Sequence, residues 1–513
     1  MSVVIPSCGR LRSLLVISAC LFAAATVQAQ HVPRIGYVYP AGGRLNTSFE
    51  VVVGGQGLDN PIGVVMSGRG IQAEIMEHIK PLSAQMAGDI HEKLREMQTK
   101  MKELRKDGKL PPTEILPTIR KLLQEAELTE GDLRRLKEYD RKRNDPKQQL
   151  NAQIAETVRV KVTIDERAEP GLHQWRLRTA GGLSNPMRFQ VGQHPEIREA
   201  EPPLEFDFEK YNGYSLAAKK AAKQVEITPT FTLPATINGR ILPGQVDKFT
   251  FHATKGQQVV LAVQARSLIP YLADAVPGWF QAVVSLHDSS GHELAFADGY
   301  RFDPDPVVFY KIPDDGDYRV EVHDSIYRGR EDFVYRITAG ELPFLTGISP
   351  LGAPAGSKLD ITYAGGNLGG QNKVHYQAPD HAGIVSLQAN RGPWLSNLIP
   401  FQIDTLVEEA EREPNNSLGG AQEVKPPVII NGAIDAPGDA DIYRLKGAGN
   451  KPMVFEIFAR RLGSPLDSSL TVFDAEGKQL AFNDDHEDPA SGLTTHHADS
   501  RVSRYSFLPD CLG

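Results

Sequence analysis

The sequence predicts a mainly β protein: a row of small β-sandwiches with one α-helical insertion in the first. Three observations carry that expectation. Short runs of alternating apolar and polar residues, such as 35–39 and 49–53, recur between glycine and proline clusters, which is the pattern of half-buried strands joined by turns. Two kinds of segment, here called A and B, each occur twice in the order A–B–A–B, so whole modules are repeated. One stretch, about residues 76–156, drops the two-residue alternation for a helical period.

The bulk numbers set outer bounds. A chain of 513 residues holds about three to five domains of roughly 100–150 residues each. With 41% hydrophobic and 23% charged residues it is ordinary globular protein. A net charge of −8 argues against nucleic acid as a partner, which calls for a basic face. Residues 1–29 read as an export signal: Arg10 and Arg12, an apolar core over 14–27, and Val27-Gln28-Ala29 as the cleavage site. The expected location is therefore secreted, periplasmic or cell-envelope. Ile17-Ser18-Ala19-Cys20 offers a lipoprotein alternative, but apolar sequence runs on past Cys20, where a lipid-bearing cysteine ends it. No later run is long enough to span a membrane. Of three cysteines, Cys511 alone follows the cleavage site, so no internal disulfide is expected.

The first A copy spans 31–195. Its strand Ile35-Gly36-Tyr37-Val38-Tyr39 leads through Pro40 and Gly42-Gly43 to Phe49-Glu50-Val51-Val52-Val53 and ends at Gly57-Leu58. The second, 343–405, repeats this as Ile348-Ser349-Pro350, Leu359-Asp360-Ile361-Thr362-Tyr363 and Asn367-Leu368. Pro40 precedes Leu58 by the same 18 positions that separate Pro350 from Leu368. Leu183-Ser184-Asn185 precedes Phe189-Gln190-Val191, and Leu395-Ser396-Asn397 precedes Phe401-Gln402-Ile403. Within the first copy, Ala87, Ile90, Leu94, Met97, Met101 and Leu104 recur at spacings of three and four, and Ile115, Ile119, Leu122 and Ala126 form a second stripe. Thr129 with Asp132 resembles a capping box that opens a third helix carrying Leu133, Leu136 and Tyr139. The plain reading is a small bundle packed on itself; the sharper one is an arm on which a partner docks.

A charged linker, 196–227, leads to the first B copy at 228–342, and a glutamate-rich segment opens the second at 406–513. Ile237-Asn238-Gly239, Asp247-Lys248-Phe249, Ala265-Arg266, Asp288-Ser289-Ser290-Gly291 and Leu294-Ala295-Phe296 return as Ile430-Asn431-Gly432, Asp441-Ile442-Tyr443, Ala459-Arg460, Asp474-Ala475-Glu476-Gly477 and Leu480-Ala481-Phe482. Copy one continues through Pro313-Asp314-Asp315-Gly316-Asp317-Tyr318 into two further strands, whereas copy two reaches Pro509-Asp510. On that ground the second copy reads as truncated and the chain as the front part of something longer.

As a set, the B motifs resemble the bacterial pre-peptidase C-terminal domain, a small β-sandwich found on secreted proteases that includes the collagen-binding domains of bacterial collagenases. The likeness covers about 228–340 and, partially, 411–510. The A copies are similar to IPT/TIG or other Ig-like modules through their glycine turns. Neither family is catalytic in itself. In the first family calcium can sit where the entering linker crosses the first strands, and the resemblance implies Glu411, Glu413, Asn415, Asn416, Asp439 and Asp441 as its ligands. Carboxylates mixed with amide oxygens are the donors calcium takes; the plain alternative is a polar linker with an Asx turn. Copy one has Gln245 in place of Asp439 and no Glu-x-Glu-Pro-Asn-Asn run, which leaves Asp247 alone and no calcium expected.

Catalytic spacings are missing. His91-Glu92-Lys93-Leu94-Arg95 lacks the second histidine that a helical zinc-protease motif needs. There is no Gly-x-Ser-x-Gly elbow, P-loop or Cys-x-x-Cys pair. Asp484-Asp485-His486-Glu487-Asp488 with His496-His497 could suggest zinc, but neighbouring histidines on an extended segment point opposite ways. The expectation is a secreted, non-enzymatic binding or spacer protein that engages the cell surface, a protein or a polysaccharide. The alternative is the non-catalytic front portion of a secreted peptidase or other hydrolase whose catalytic domain is missing.

Overall fold

The computed structural model describes residues 32–106, 111, 114–144, 151–199, 228–269, 280–301, 303–446, 451–487 and 496–506. The export signal with Cys20, the later part of the first linker, and Cys511 lie outside the described residues. Among the described residues the chain is mainly β, in several small sheets, with three α-helices.

In the first A copy one sheet orders Arg34–Tyr39, Thr47–Gln56, Glu156–Ile164 and Ile71–Ile79; the facing sheet orders Gly42–Arg44, Met187–Gly192, Gly171–Thr179 and Pro61–Met66. Alternation supplies the core: Val158, Val160, Val162 and Ile164 from one sheet bury against Trp175, Leu177, Phe189 and Val191 from the other. The repeated Leu-Ser-Asn motif has a structural cause. Asn185 brackets Ile35, with Oδ1 accepting from its N–H at 2.7 Å and Nδ2 donating to its carbonyl at 2.9 Å. Asn397 does the same to Leu345, at 2.7 and 2.9 Å. One side chain thus mimics a ladder partner and ties the first strand of each A copy to a distant turn.

The helical insertion starts after Ile79, since Ile71–Ile79 pairs with Glu156–Ile164 as far as Ile79↔Thr157. Strand pairing therefore continues three residues beyond Met76, past a bulge between Ile75 and Glu77. Helices α1 (Ala84–Lys106), α2 (Ile115–Glu125) and α3 (Glu130–Asn144) pack a core of their own from Ala87, Ile90, Leu94, Met97, Leu122 and Leu133. The capping box forms: Thr129 N donates to Asp132 Oδ2 at 2.9 Å and Asp132 N donates to Thr129 Oγ1 at 3.1 Å.

The first B copy faces two five-stranded sheets across Phe249, Phe251, Leu261, Val320, Val322 and Ile337. Its first sheet begins at Glu196–Arg198, inside the expected linker, as a strand parallel to Ala235–Arg240. The second B copy opens alike, with Val407–Ala410 parallel to Val428–Asn431. Its remaining described strands form pairs, and the described residues contain no counterpart of Gly316–Asp324 or Val334–Gly340.

Modules touch at packed seams. Tyr37 and Tyr39 of the first A copy bury with Leu268 and Val334 of the first B copy, and Arg188 Nη1 donates to the Ser267 carbonyl at 2.8 Å. Between the first B and second A copies, Phe309 meets Phe344 edge-on at 5.5 Å, and Asn367 Nδ2 donates to the Gln258 carbonyl at 3.0 Å.

Candidate metal centre

The parallel entry strand of each B copy delivers a glutamate to the same place. In copy two Glu411 follows the strand; its N–H donates to the Asn431 carbonyl at 3.0 Å. Its Oε2 accepts from Ala433 N at 2.8 Å, and its Oε1 accepts from Asn415 Nδ2 at 2.8 Å and Tyr443 Oη at 3.0 Å. Two residues on, Glu413 Oε2 accepts from Asn415 N at 2.9 Å. The Asn415 carbonyl takes Ile442 N at 3.2 Å, which clamps the loop against the segment that carries Asp441, just ahead of the strand Tyr443–Arg444.

Carboxylate oxygens of Glu411, Glu413 and Asp441 therefore lie within 4.8 Å of one another. A calcium ion with ligands at about 2.3–2.6 Å holds opposite oxygens roughly 5 Å apart, so the cluster has the span such an ion needs. Asn415 is fully buried and its Oδ1 has no hydrogen-bond partner, nor has Asp441 Oδ1. A buried acceptor left bare costs about 1–3 kcal/mol. The bare Asn415 oxygen beside three carboxylates, one of which also has an unpartnered oxygen, forms an oxygen set suited to a hard cation.

The electrostatics agree with the geometry. Burial and then the Glu411 charge push Asp441 up to about 7. Glu411 is held below its ordinary value: burial opposes this, but the N–H of Ala433 and the side chains of Asn415 and Tyr443 outweigh it. Below about pH 7 the pair thus tends to hold a proton, which a divalent ion would displace.

Of Asn416 and Asp439, also expected as ligands, Asn416 stays on the entering loop and Asp439 sits on the facing turn. Asn416 Oδ1 accepts from Ala440 N at 3.5 Å and Asp439 Oδ2 from Asp435 N at 2.8 Å. Asp439 closes that turn and stands outside the three-carboxylate cluster, while Asn416 bridges the loop to it.

Copy one corrects the expectation that Asp247 stands alone. Glu199 N donates to the Asn238 carbonyl at 2.9 Å, and Glu199 Oε2 accepts from Arg240 N at 3.1 Å, which is the Glu411 arrangement residue for residue. Here Gln245 Nε2 donates to Glu199 Oε1 at 2.8 Å, and Tyr335 Oη donates to Asp247 Oδ2 at 2.6 Å. Burial and then the Glu199 charge push Asp247 up to about 8. The signal was in the sequence: Glu199-Ala200-Glu201-Pro202 matches Glu411-Arg412-Glu413-Pro414. It was hidden because 39 positions separate Glu199 from Asn238 but 20 separate Glu411 from Asn431. Glu201 lies outside the described residues.

Two further clusters went unforeseen. Asp59, His78 and Glu156 meet at the root of the helical insertion. There Lys80 pairs with Asp59, while Glu156 accepts from Gly57 N, Leu58 N and His78, so the charges are settled internally and the group staples the insertion to the sandwich. Ser285 Oγ lies 2.9 Å from His287 Nε2, but Glu321 approaches that same nitrogen at 3.9 Å. A triad needs its acid on the other ring nitrogen. In the other loop the backbone pairs His486 with His497.

Comparison with known proteins gave no matching family model and no matching curated protein. Among solved structures, a pre-peptidase C-terminal domain of collagenase from Bacillus anthracis is 14% identical and covers 22% of this chain and 93% of its own, with a TM-score of 0.17. The secreted serine protease VesC from Vibrio cholerae is 8% identical over 63% of this chain and 48% of its own, with a TM-score of 0.16. SGBP-B from a xyloglucan utilization locus in Bacteroides uniformis is 7% identical over 60% of this chain and 73% of its own, with a TM-score of 0.16.

Proposed function

We propose that this is an exported, non-catalytic binding and spacing protein whose second B copy is made rigid by calcium. The observation that carries the calcium reading is the Glu411–Glu413–Asp441 cluster beside the buried, unpartnered Asn415 Oδ1. The ion ties the entering linker (Glu411, Glu413) to the start of the segment that leads into the sandwich (Asp441), so binding fixes the angle at which this module leaves the second A copy. Export rests on the signal at residues 1–29; no helix among the described residues is long and apolar enough to cross a membrane. Packed seams between successive modules suit a spacer that presents loops to an extracellular protein or polysaccharide. The absence of catalysis rests on the missing motif spacings and on the Ser285–His287 geometry. The test is a melt of the purified chain with calcium and with chelator, beside hydrolysis assays on casein and soluble glycans. A calcium-dependent rise in Tm with no turnover supports the reading. A melt indifferent to calcium ends the metal assignment, and turnover abolished by a single side-chain substitution ends the non-catalytic one.

A further inference from the structure

Where the first B copy meets the second A copy, the chain leaves a cleft of about 360 Å³. Both modules wall it: Pro234 and Gln257 from B, Glu341 from the junction, and Arg391, Pro393 and Trp394 from a tight hairpin of A. Arg391 pairs with Trp394 across a turn in which Gly392 has φ +61°, a left-handed conformation that a side chain would strain. The turn therefore fixes where the indole stands. Against that ring packs His194 of the first A copy, with centroids 5.0 Å apart and a tilt of 48°. His194 is 7% exposed, its Nδ1 has no partner, and burial pushes its pKa down to about 4, so it is a neutral backstop. Three modules converge on one aromatic side chain.

The polar groups beside it are planar and balanced. Arg391 Nη2 donates to Glu341 Oε1 at 3.2 Å, so the two charges offset and neither an anion nor a cation is favoured. Gln257 Oε1 accepts from Thr254 N at 3.3 Å, which leaves its amide N–H groups for a ligand. A half-buried indole next to planar donors and acceptors, in a cleft of this size, suits a small ligand with an apolar C–H face and a rim of hydroxyls. We propose that the cleft binds carbohydrate, with a pyranose ring of a neutral polysaccharide stacked on Trp394 and its hydroxyls held by Arg391, Glu341 and Gln257. This names the ligand class for the binding role above and rests on that role, though not on the calcium site.

The test is affinity electrophoresis of the full mature chain in gels that each contain one polysaccharide: a soluble β-1,4-glucan, a galactomannan, a xylan or polygalacturonate. At least one neutral glycan should retard the chain. Trp394→Ala should raise its Kd tenfold or more and Gln257→Ala threefold or more, while Trp394→Phe keeps most of the binding. Gln257 stands at the cleft edge, so its variant decides the matter should Trp394→Ala fail to fold. Retardation indifferent to both substitutions overturns the site and spares the binding role. Failure of every neutral glycan to retard the chain overturns the carbohydrate assignment, and the calcium melt reports separately on the metal reading.

Discussion

In the first B copy the glutamate that follows the entry strand, Glu199, is met by the Gln245 amide at 2.8 Å, and the neighbouring Asp247 is met by the Tyr335 hydroxyl at 2.6 Å. In the second copy the same two positions, Glu411 and Asp441, are joined by Glu413 and by an Asn415 oxygen that nothing satisfies. Both modules place two carboxylates where one strand crosses another, and desolvating such a pair is costly. Copy one offsets the cost with its own donors and a proton. Copy two adds a third acidic group and leaves acceptors bare, an arrangement that is stable when a cation completes it. The pair of modules shows that the fold supplies the crossing, while one or two side chains choose what occupies it.

The largest effect that could break this comparison is metal addition. A ligand that binds only the folded state contributes RT ln(1 + [L]/Kd), about 2.7 kcal/mol at a hundredfold excess over Kd. Calorimetry of the full chain should show that shift with calcium. Asp441→Asn should abolish it, whereas Asp247→Asn, the matching change in copy one, should leave it intact. A shift that survives Asp441→Asn places the ion elsewhere.

Next in size are the two tyrosines. Tyr335→Phe strips a buried donor from Asp247 and should cost about 1–3 kcal/mol. Tyr443→Phe removes one donor from Glu411, which keeps Asn415 Nδ2 and Ala433 N, so the cost should stay below about 1 kcal/mol. Equal losses, measured by denaturant unfolding, would mean that the two crossings are closed in the same manner after all.

The sandwich class was legible because strand alternation is a local signal: every second residue of Glu156–Ile164 is buried from Val158 onward, as the run Val158-Arg159-Val160-Lys161-Val162 announces. The helical stripes and the Thr129–Asp132 box were legible for the same reason. The Leu-Ser-Asn repeats were visible, but their purpose was not, since Asn185 acts on Ile35 across 150 positions. Four of the six candidate ligands come together, because Glu411, Glu413 and Asn415 share one short loop and Asp441 is clamped to it. Asp439 does not, since its side chain closes a local turn on Asp435 N, and Asn416 turns its oxygen to Ala440 N on the opposite segment instead. Glu199 escaped notice because a loop of unequal length hid the match, and loop length is what sandwich architecture constrains least.

The two copies also differ in a slope with pH, at most about 1.4 kcal/mol per pH unit for one proton. Asp247 is raised from an ordinary carboxylate value to about 8, so the folded state binds its proton more tightly than the unfolded chain does. Its contribution is complete below the unfolded value near 3.8 and is lost as pH rises through about 8. Copy one should therefore gain stability as pH falls from 8 to 6, and Asp247→Asn should flatten that rise. Asp441, raised to about 7, gives copy two a slope of the same sign when chelator is present, weaker because the group is more open to solvent. Calcium reverses it. The ion requires Asp441 ionised, so protonation below about pH 7 competes with binding and the calcium-dependent gain in Tm should shrink as the solution is acidified. Melts at pH 8 and 6, with calcium and with chelator, separate the two copies: one set of slopes indifferent to calcium, the other inverted by it. If the calcium-dependent gain instead grows on acidification, Asp441 is not a ligand, and the crossing in copy two is closed by hydrogen bonds as in copy one.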